Sequence, residues 1–212
     1  MFGSAPLDKS DHTKRPWRIH DVTRDFQVLD VWALPTPGGA DDFAQLVDLW
    51  STFDPGQSSP VVRTLFTIRW TLGRVLGLDR AETGLGARVE TLRDRLPDDL
   101  HAAPANLARD QSPFRPLYLT DDEFAMEIAN QTVHGVLHVG WVPDGPEGSE
   151  AFRGQMAVLV RPNGALGVAY MAAIAPFRHL IVYPLMMRDI GRAWRERHGV
   201  ATPIEGKSHD AH

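Results

Sequence analysis

The spacing of apolar and polar positions changes along the chain, and each change marks an element. From Phe26 to Leu34 one parity carries Phe26, Val28, Asp30 and Trp32 and the other Leu29, Val31 and Ala33, a first strand closed by Pro35-Thr-Pro-Gly-Gly. A helical block follows. Asp41 or Asp42 can cap a helix carrying Phe43, Leu46, Val47, Leu49 and Trp50 at helical spacing, stopped by Asp54-Pro-Gly. Ser59 and Pro60 open a second helix, with Val61, Leu65, Ile68, Leu72, Val75 and Leu76 on one stripe widened by Phe66 and Trp70. A weaker third runs near Leu85 to Leu96, its apolar positions Val89, Leu92 and Leu96.

From Leu117 the period becomes two. Glu123 to Asn130 alternates, Asn130-Gln131 reads as a turn, and Thr132 to Val142 continues as β-branched and apolar residues before Pro143-Asp-Gly-Pro-Glu-Gly-Ser breaks the chain. Phe152 to Arg161 is a further strand. Asn163-Gly164 predicts a type I′ hairpin that returns through Ala165 to Ile174. The last element is an amphipathic helix from about Phe177 to His198, ended by Gly199. On it Tyr183, Met186, Met187, Ile190, Ala193 and Trp194 share one arc, and Arg188, Asp189, Arg192, Arg195 and Glu196 the other. Pro184 either kinks this helix or lies in its first turn. Residues 1–14 and 200–212 are polar and aperiodic and are expected to be disordered, leaving 15–199 as a single domain.

Strand, two or three helices, antiparallel meander and one long closing helix make an α+β chain. The order has no repeated βαβ unit, which argues against Rossmann and TIM topologies. With this layout, the run Met171-Ala-Ala-Ile-Ala-Pro-Phe-Arg-His-Leu-Ile-Val-Tyr-Pro-Leu-Met leading into Trp194 resembles an uncharacterised bacterial domain-of-unknown-function family of START/polyketide-cyclase-like (SRPBCC-type) proteins. The likeness extends from about Trp17 to Trp194 by element order and over the closing segment by motif. It implies a helix-grip fold, in which a curved antiparallel sheet wraps the C-terminal helix and can leave a cavity, with the two or three helices inserted after the first strand. Members are sometimes joined to a nucleotide-binding reductase-like domain, which is not expected within this sequence. They share no single chemistry, so the likeness implies no reaction.

Composition narrows the chemistry. The 212 residues include no Cys, which excludes disulfides, thiolate catalysis, zinc ribbons and iron–sulfur ligation. With 22 Lys and Arg against 27 Asp and Glu, the formal charge is −5, so no nucleic-acid partner is expected. The start, Met-Phe-Gly-Ser-Ala-Pro-Leu-Asp-Lys-Ser, does not resemble a secretory signal, and a cytoplasmic location is expected. Val61 to Leu78 is interrupted by Arg63, Arg69 and Arg74 and reads as a buried helix, so no membrane span is expected. Thr83-Gly84-Leu85-Gly86-Ala87-Arg88-Val89 lacks the third glycine of a dinucleotide fingerprint and follows a helix. Neither a cofactor nor a metal is expected.

Two patches carry candidate chemistry. A two-residue turn at Asn130-Gln131 would pair Ile128 with Val133, Met126 with Gly135 and Phe124 with Leu137 on one face, and Glu127 with His134 and Glu123 with His138 on the other. Such a patch can hold a divalent metal or form an acid/base pair, the plainer alternative being a solvated face outside the last helix. The second hairpin would pair Val160 with Gly167, Val158 with Ala169 and Met156 with Met171, and on its other face Leu159 with Val168 and Ala157 with Tyr170. Small residues beside Met leave room for a lipophilic guest, a filled core being the alternative.

The leading expectation is a small lipophilic or amphipathic molecule held between sheet and C-terminal helix. Its walls would be Phe124, Met126, Leu137, Val158, Met171, Met187 and Trp194, with Arg178 or His179 at the rim to meet an anionic group. Two alternatives remain. One is a cyclase-, isomerase- or hydrolase-type enzyme with a pocket His or carboxylate as general base. The other is an interaction module partnering a reductase or a second copy of itself as a homodimer.

Overall fold

Alternating strands that bury both faces need cover on both sides, and the chain supplies it from different segments. The structure, a computed structural model, describes residues 4–52, 89–101, 107, 114–129, 133–146 and 148–199. Six strands, β1 (Ala5–Pro6), β2 (Gln27–Ala33), β3 (Arg115–Leu119), β4 (Glu123–Ala129), β5 (Val133–Pro143) and β6 (Phe152–Pro162), form one antiparallel sheet in the order β1-β2-β6-β5-β4-β3. Short helices α1 (Ser10–Thr13) and α2 (Ile19–Val22) precede β2, and α3 (Phe43–Thr52) follows it. The chain ends in one continuous helical run: α4 (Gly164–Phe177), a π-helical turn (Arg178–Val182) and α5 (Tyr183–Arg197). This is an α+β, helix-grip-like arrangement, with α3 and α5 on one face of the sheet.

That face carries Trp32, Phe124, Met126, Val139, Trp141 and Met156, which pack with Phe43, Leu46 and Leu49 of α3 and with Tyr183, Met187, Ile190 and Trp194 of α5. The α5 arc expected from the sequence is the buried one. Asp189, placed on its polar arc, is nevertheless buried and paired with Arg192 at 2.9 Å. On the opposite face Val31, Leu117, Tyr118, Ala125, Val136 and Leu159 lie under Trp17, Ile19 and Val22 and under Leu92, Leu96 and Leu100. Of the expected helix over 85–96, the described part is instead a 3₁₀ turn, Leu92–Arg95. The helix expected at 59–76 lies outside the described residues, as does the tail 200–212.

Three expectations are corrected. Residues 5–14 are not outside the fold: β1 pairs with β2, the Leu7 N–H donates to the Val31 carbonyl at 2.9 Å, and His12 is fully buried. The Asn130-Gln131 pairing is displaced by two residues, so that Ile128 faces Gly135, Met126 faces Leu137 and Phe124 faces Val139. A shift of two preserves which face each side chain takes.

The largest correction concerns the second hairpin. Ala165 to Ile174 is helix, not strand, so none of the pairs expected across Asn163-Gly164 forms. β6 lies between β2 and β5 with both edges hydrogen-bonded, which leaves a returning strand nothing to pair with. Gly164 does adopt a positive φ of 69°, but Asn163 stays at −89°, and a type I′ turn requires both to be positive. The turn instead launches an Ala-rich segment into its preferred helix. Pro184 lies in the first turn of α5, one of the two places the sequence allows it. It cannot donate to the carbonyl of Leu180, and the π-helical turn lies between Pro176 and Pro184, with the Tyr183 N–H reaching back to the Arg178 carbonyl.

Trp17 closes directly over the backbone of β5. A Cβ added at Gly140 would stand 2.5 Å from Trp17 Cη2 and 2.7 Å from Cζ2. Gly140→Ala is therefore expected to destabilise the fold by about 1–3 kcal/mol, seen as a lower urea midpoint. An unchanged midpoint would mean that the indole is not seated there.

Candidate functional site

Among the described residues, three polar arrangements stand out against a largely apolar interior. The first is Asp30. The β2/β6 register slips between Val28 and Asp30, and this bulge puts Asp30 and Trp32 on the α5 face while Val28 packs on the other. The Asp30 carboxylate receives the Tyr183 hydroxyl at 2.7 Å and lies 2.8 Å from Arg178 Nε and 3.0 Å from His179 Nε2. Burial, and then the adjacent carboxylate, push the Tyr183 phenol well above its ordinary pKa, so it remains a donor. Asp30, Val158, Leu137 and Met126 form one row across four strands.

The expected wall residues divide around that row. Phe124, Met126, Met187 and Trp194 are buried in the core cluster, and Leu137 and Val158 are half-buried at its margin. The next row, Trp32, Met156, Val139 and Phe124, is no more than 6% exposed, so cover over the sheet thins at the Leu137 row. Met171 lies on α4, half-buried, rather than on a strand. Arg178 and His179 stand on the π-helical turn above Asp30, His179 at 44% exposure. Gly164 to Phe177 carries no charged residue and has no polar face, yet Val168 is 58% and Phe177 41% exposed.

The second arrangement is the pair of carboxylates on the opposite face. Glu123 and Glu127 do pair with His138 and His134, at 2.6 and 3.1 Å, but the patch is not solvated: all four side chains are buried. Each carboxylate is built alike. Glu123 accepts from His138, the Tyr118 hydroxyl at 3.2 Å and the Arg18 backbone N–H at 2.7 Å. Glu127 accepts from His134, the Thr91 hydroxyl and the Leu92 backbone N–H at 3.0 Å. The carboxylates therefore pin the segments that cover this face. His138 also meets His12, Nδ1 to Nε2, at 3.1 Å.

Burial holds both of these imidazoles in the neutral form. It pushes His12 down to about 2, with the neighbouring His138, His20 and Arg15 acting the same way, and it lowers His138 although Glu123 opposes the shift. For Glu127 burial acts upward, but the bonds from His134, Leu92 and Thr91 outweigh it and hold the carboxyl below its ordinary value. His134 and His138 face away from α5 and so cannot serve a reaction between sheet and helix. Among the described residues, no three His, Asp or Glu side chains converge to hold a metal.

The third arrangement is a half-open cleft of about 560 Å³ at the rim of the sheet, where both faces meet. Trp17, Trp141 and Phe152 line it beside Arg15, Asp121, Asp122 and Glu123. Nothing local in the sequence points to it, because its walls come from the N-terminal segment, the β3–β4 turn and the facing ends of β5 and β6.

A family model described as protein of unknown function (DUF2867) matches residues 22–185. No curated protein and no solved structure matches the chain.

Acid is expected to loosen the fold. Below the ordinary imidazole value of 6.5 the unfolded chain takes up protons that buried His12 and His138 refuse, so stability is complete above 6.5 and falls as pH drops. Glu127 adds to the loss below its ordinary 4.5. In urea titrations from pH 8 to 4, His12→Leu should flatten the slope near pH 5 by about 1.4 kcal/mol per pH unit. Equal slopes in both proteins would mean that His12 titrates freely when folded.

Proposed function

The chain belongs to the DUF2867 family, and we propose that it holds a small amphipathic acid against the sheet beneath its C-terminal helix. The observation that carries this reading is α4, a helix from Gly164 to Phe177 with no charged residue and no polar face, many of whose described residues are exposed, beginning where the cover over Leu137 and Val158 thins. A helix without a polar face belongs in apolar surroundings, and water is a costly substitute. The START/SRPBCC resemblance belongs to the same proposal, since such folds place a guest between sheet and closing helix.

Arg178 supplies the head-group partner. Its side chain is 13% exposed, and beside the Asp30 contact its Nη1 is buried without a hydrogen-bond partner among the described residues. A carboxylate arriving at this end would satisfy that donor, while His179 stands at the solvent side. The guest's apolar body would lie along α4 and the Leu137–Val158 row.

Length favours a small guest over a bilayer. Gly167–Arg197 is a 31-residue helix long and apolar enough by composition to cross a membrane, with 6% of its most apolar window buried. Its uncharged part ends at Phe177, however, and the fourteen residues of α4 span about 21 Å against a hydrocarbon core of about 30 Å. Arg178, next in line, is tied to the sheet through Asp30.

Differential scanning fluorimetry with medium-chain fatty acids tests the reading. Decanoate should raise Tm in a dose-dependent way, following RT ln(1 + [L]/Kd), and decanol should do so less. Leu137→Phe, which fills the half-buried row, should abolish the shift with little change in the unliganded Tm. Arg178→Gln should remove the preference for the acid over the alcohol. Equal response of Leu137→Phe and the parent chain would refute the site.

A further inference from the structure

The rim cleft is independent of α4, and its chemistry differs. Glu123 lines it, is 2% exposed, and accepts three hydrogen bonds whose donors are a tyrosine hydroxyl, a backbone N–H and the imidazole of His138. Burial keeps that imidazole neutral, so none of the three donors carries a charge. A buried carboxylate is ordinarily paired with a cation. Glu127, bonded in the same manner, does not line the cleft.

The rest of the lining leans toward positive guests. Asp121 and Asp122 are exposed at the mouth, and Asp122 receives only the Thr120 hydroxyl on its side chain among the described residues. Of the two cleft guanidiniums, Arg18 is engaged with Asp99 through both carboxylate oxygens, at 3.0 and 2.8 Å. Arg15 stands 6.0 Å from the Trp17 ring centroid, which shows that this indole already presents a face to a cation. Three carboxylates and three aromatic rings surround a space of about 560 Å³, within the range of small-ligand pockets.

We propose that this cleft binds a small organic ammonium ion, its charge directed to Glu123 and Asp122 and its alkyl part against Trp17, Trp141 and Phe152. The ion would bring a positive charge to a carboxylate whose own hydrogen-bond donors are a phenol, a backbone N–H and an imidazole, and it would use the ring faces as Arg15 does. An anion would meet three like charges at the same place.

Three probes of one shape separate the terms: choline chloride, 3,3-dimethylbutan-1-ol and 3,3-dimethylbutanoate, followed by tryptophan fluorescence and by calorimetry on the full chain. Choline is expected to bind saturably and about tenfold more tightly than the neutral alcohol, with no binding of the carboxylate. Asp121→Asn combined with Asp122→Asn, exposed positions that leave the fold intact, should weaken choline about threefold or more and reduce its salt dependence. Leu137→Phe should leave choline binding unchanged, which keeps this site separable from the one beneath α4. Equal binding of choline and alcohol, preference for the carboxylate, unchanged affinity in the double variant, or no choline binding at all would each overturn the proposal.

Discussion

Two carboxylates buried against the sheet impose the constraint on which the outer face depends. A carboxylate taken out of water costs several kcal/mol unless its oxygens are satisfied, and strands β3 to β5 can offer only side chains. Glu123 and Glu127 therefore draw backbone N–H groups from elsewhere, from Arg18 and from Leu92. The bonds do more than compensate the charge. They set where the N-terminal segment and the segment at 91–100 lie, and those segments bring Trp17, Ile19, Leu92 and Leu96 down onto the apolar positions of the same face. The sequence suggests an exposed charged stripe. The structure makes that stripe the anchor of its own cover.

Parity was legible in the sequence, and destination was not. Alternation from Glu123 to Ala129 assigns Phe124 and Met126 to one face and both glutamates to the other, whichever even-numbered register the hairpin adopts, and α5 covers the face so assigned. The spacing of Tyr183, Met187, Ile190 and Trp194 likewise identified the buried side of α5. What local pattern cannot carry is a contact such as His12 to His138, made across 126 positions. A polar N-terminus looks like a tail until its histidine finds a partner. Asn163-Gly164 failed for a related reason. The dipeptide permits a hairpin, but whether β6 has a free edge depends on β2, laid down long before in the chain.

Asp30 solves the same problem as the glutamates by another route. It sits on the α5 face, where the covering element is a helix with no spare N–H groups, and it is met by charged and phenolic side chains instead. The π-helical turn makes this possible. Arg178 and Tyr183 are five apart, a separation that an α-helix would place on different sides, whereas the wider turn closes with the Tyr183 N–H on the Arg178 carbonyl. The β2 bulge brings Asp30 to the correct face, and the widened turn brings two residues to Asp30.

This junction also fixes where the apolar helix can go. Because the chain is tied to the sheet at Arg178 and emerges from β6 at Gly164, α4 is held at both ends while its middle has little cover. A free apolar helix could fold back or insert deeply, but a helix fixed at both ends can only be covered in place. On the proposed reading, a guest that shields it would enter between these attachments, beside Leu137 and Val158, with a size set by about 21 Å of helix rather than by a bilayer. The tether that withdraws Arg178 from the solvent would, on the same reading, also limit the guest, whose head would stop where Asp30 holds the guanidinium.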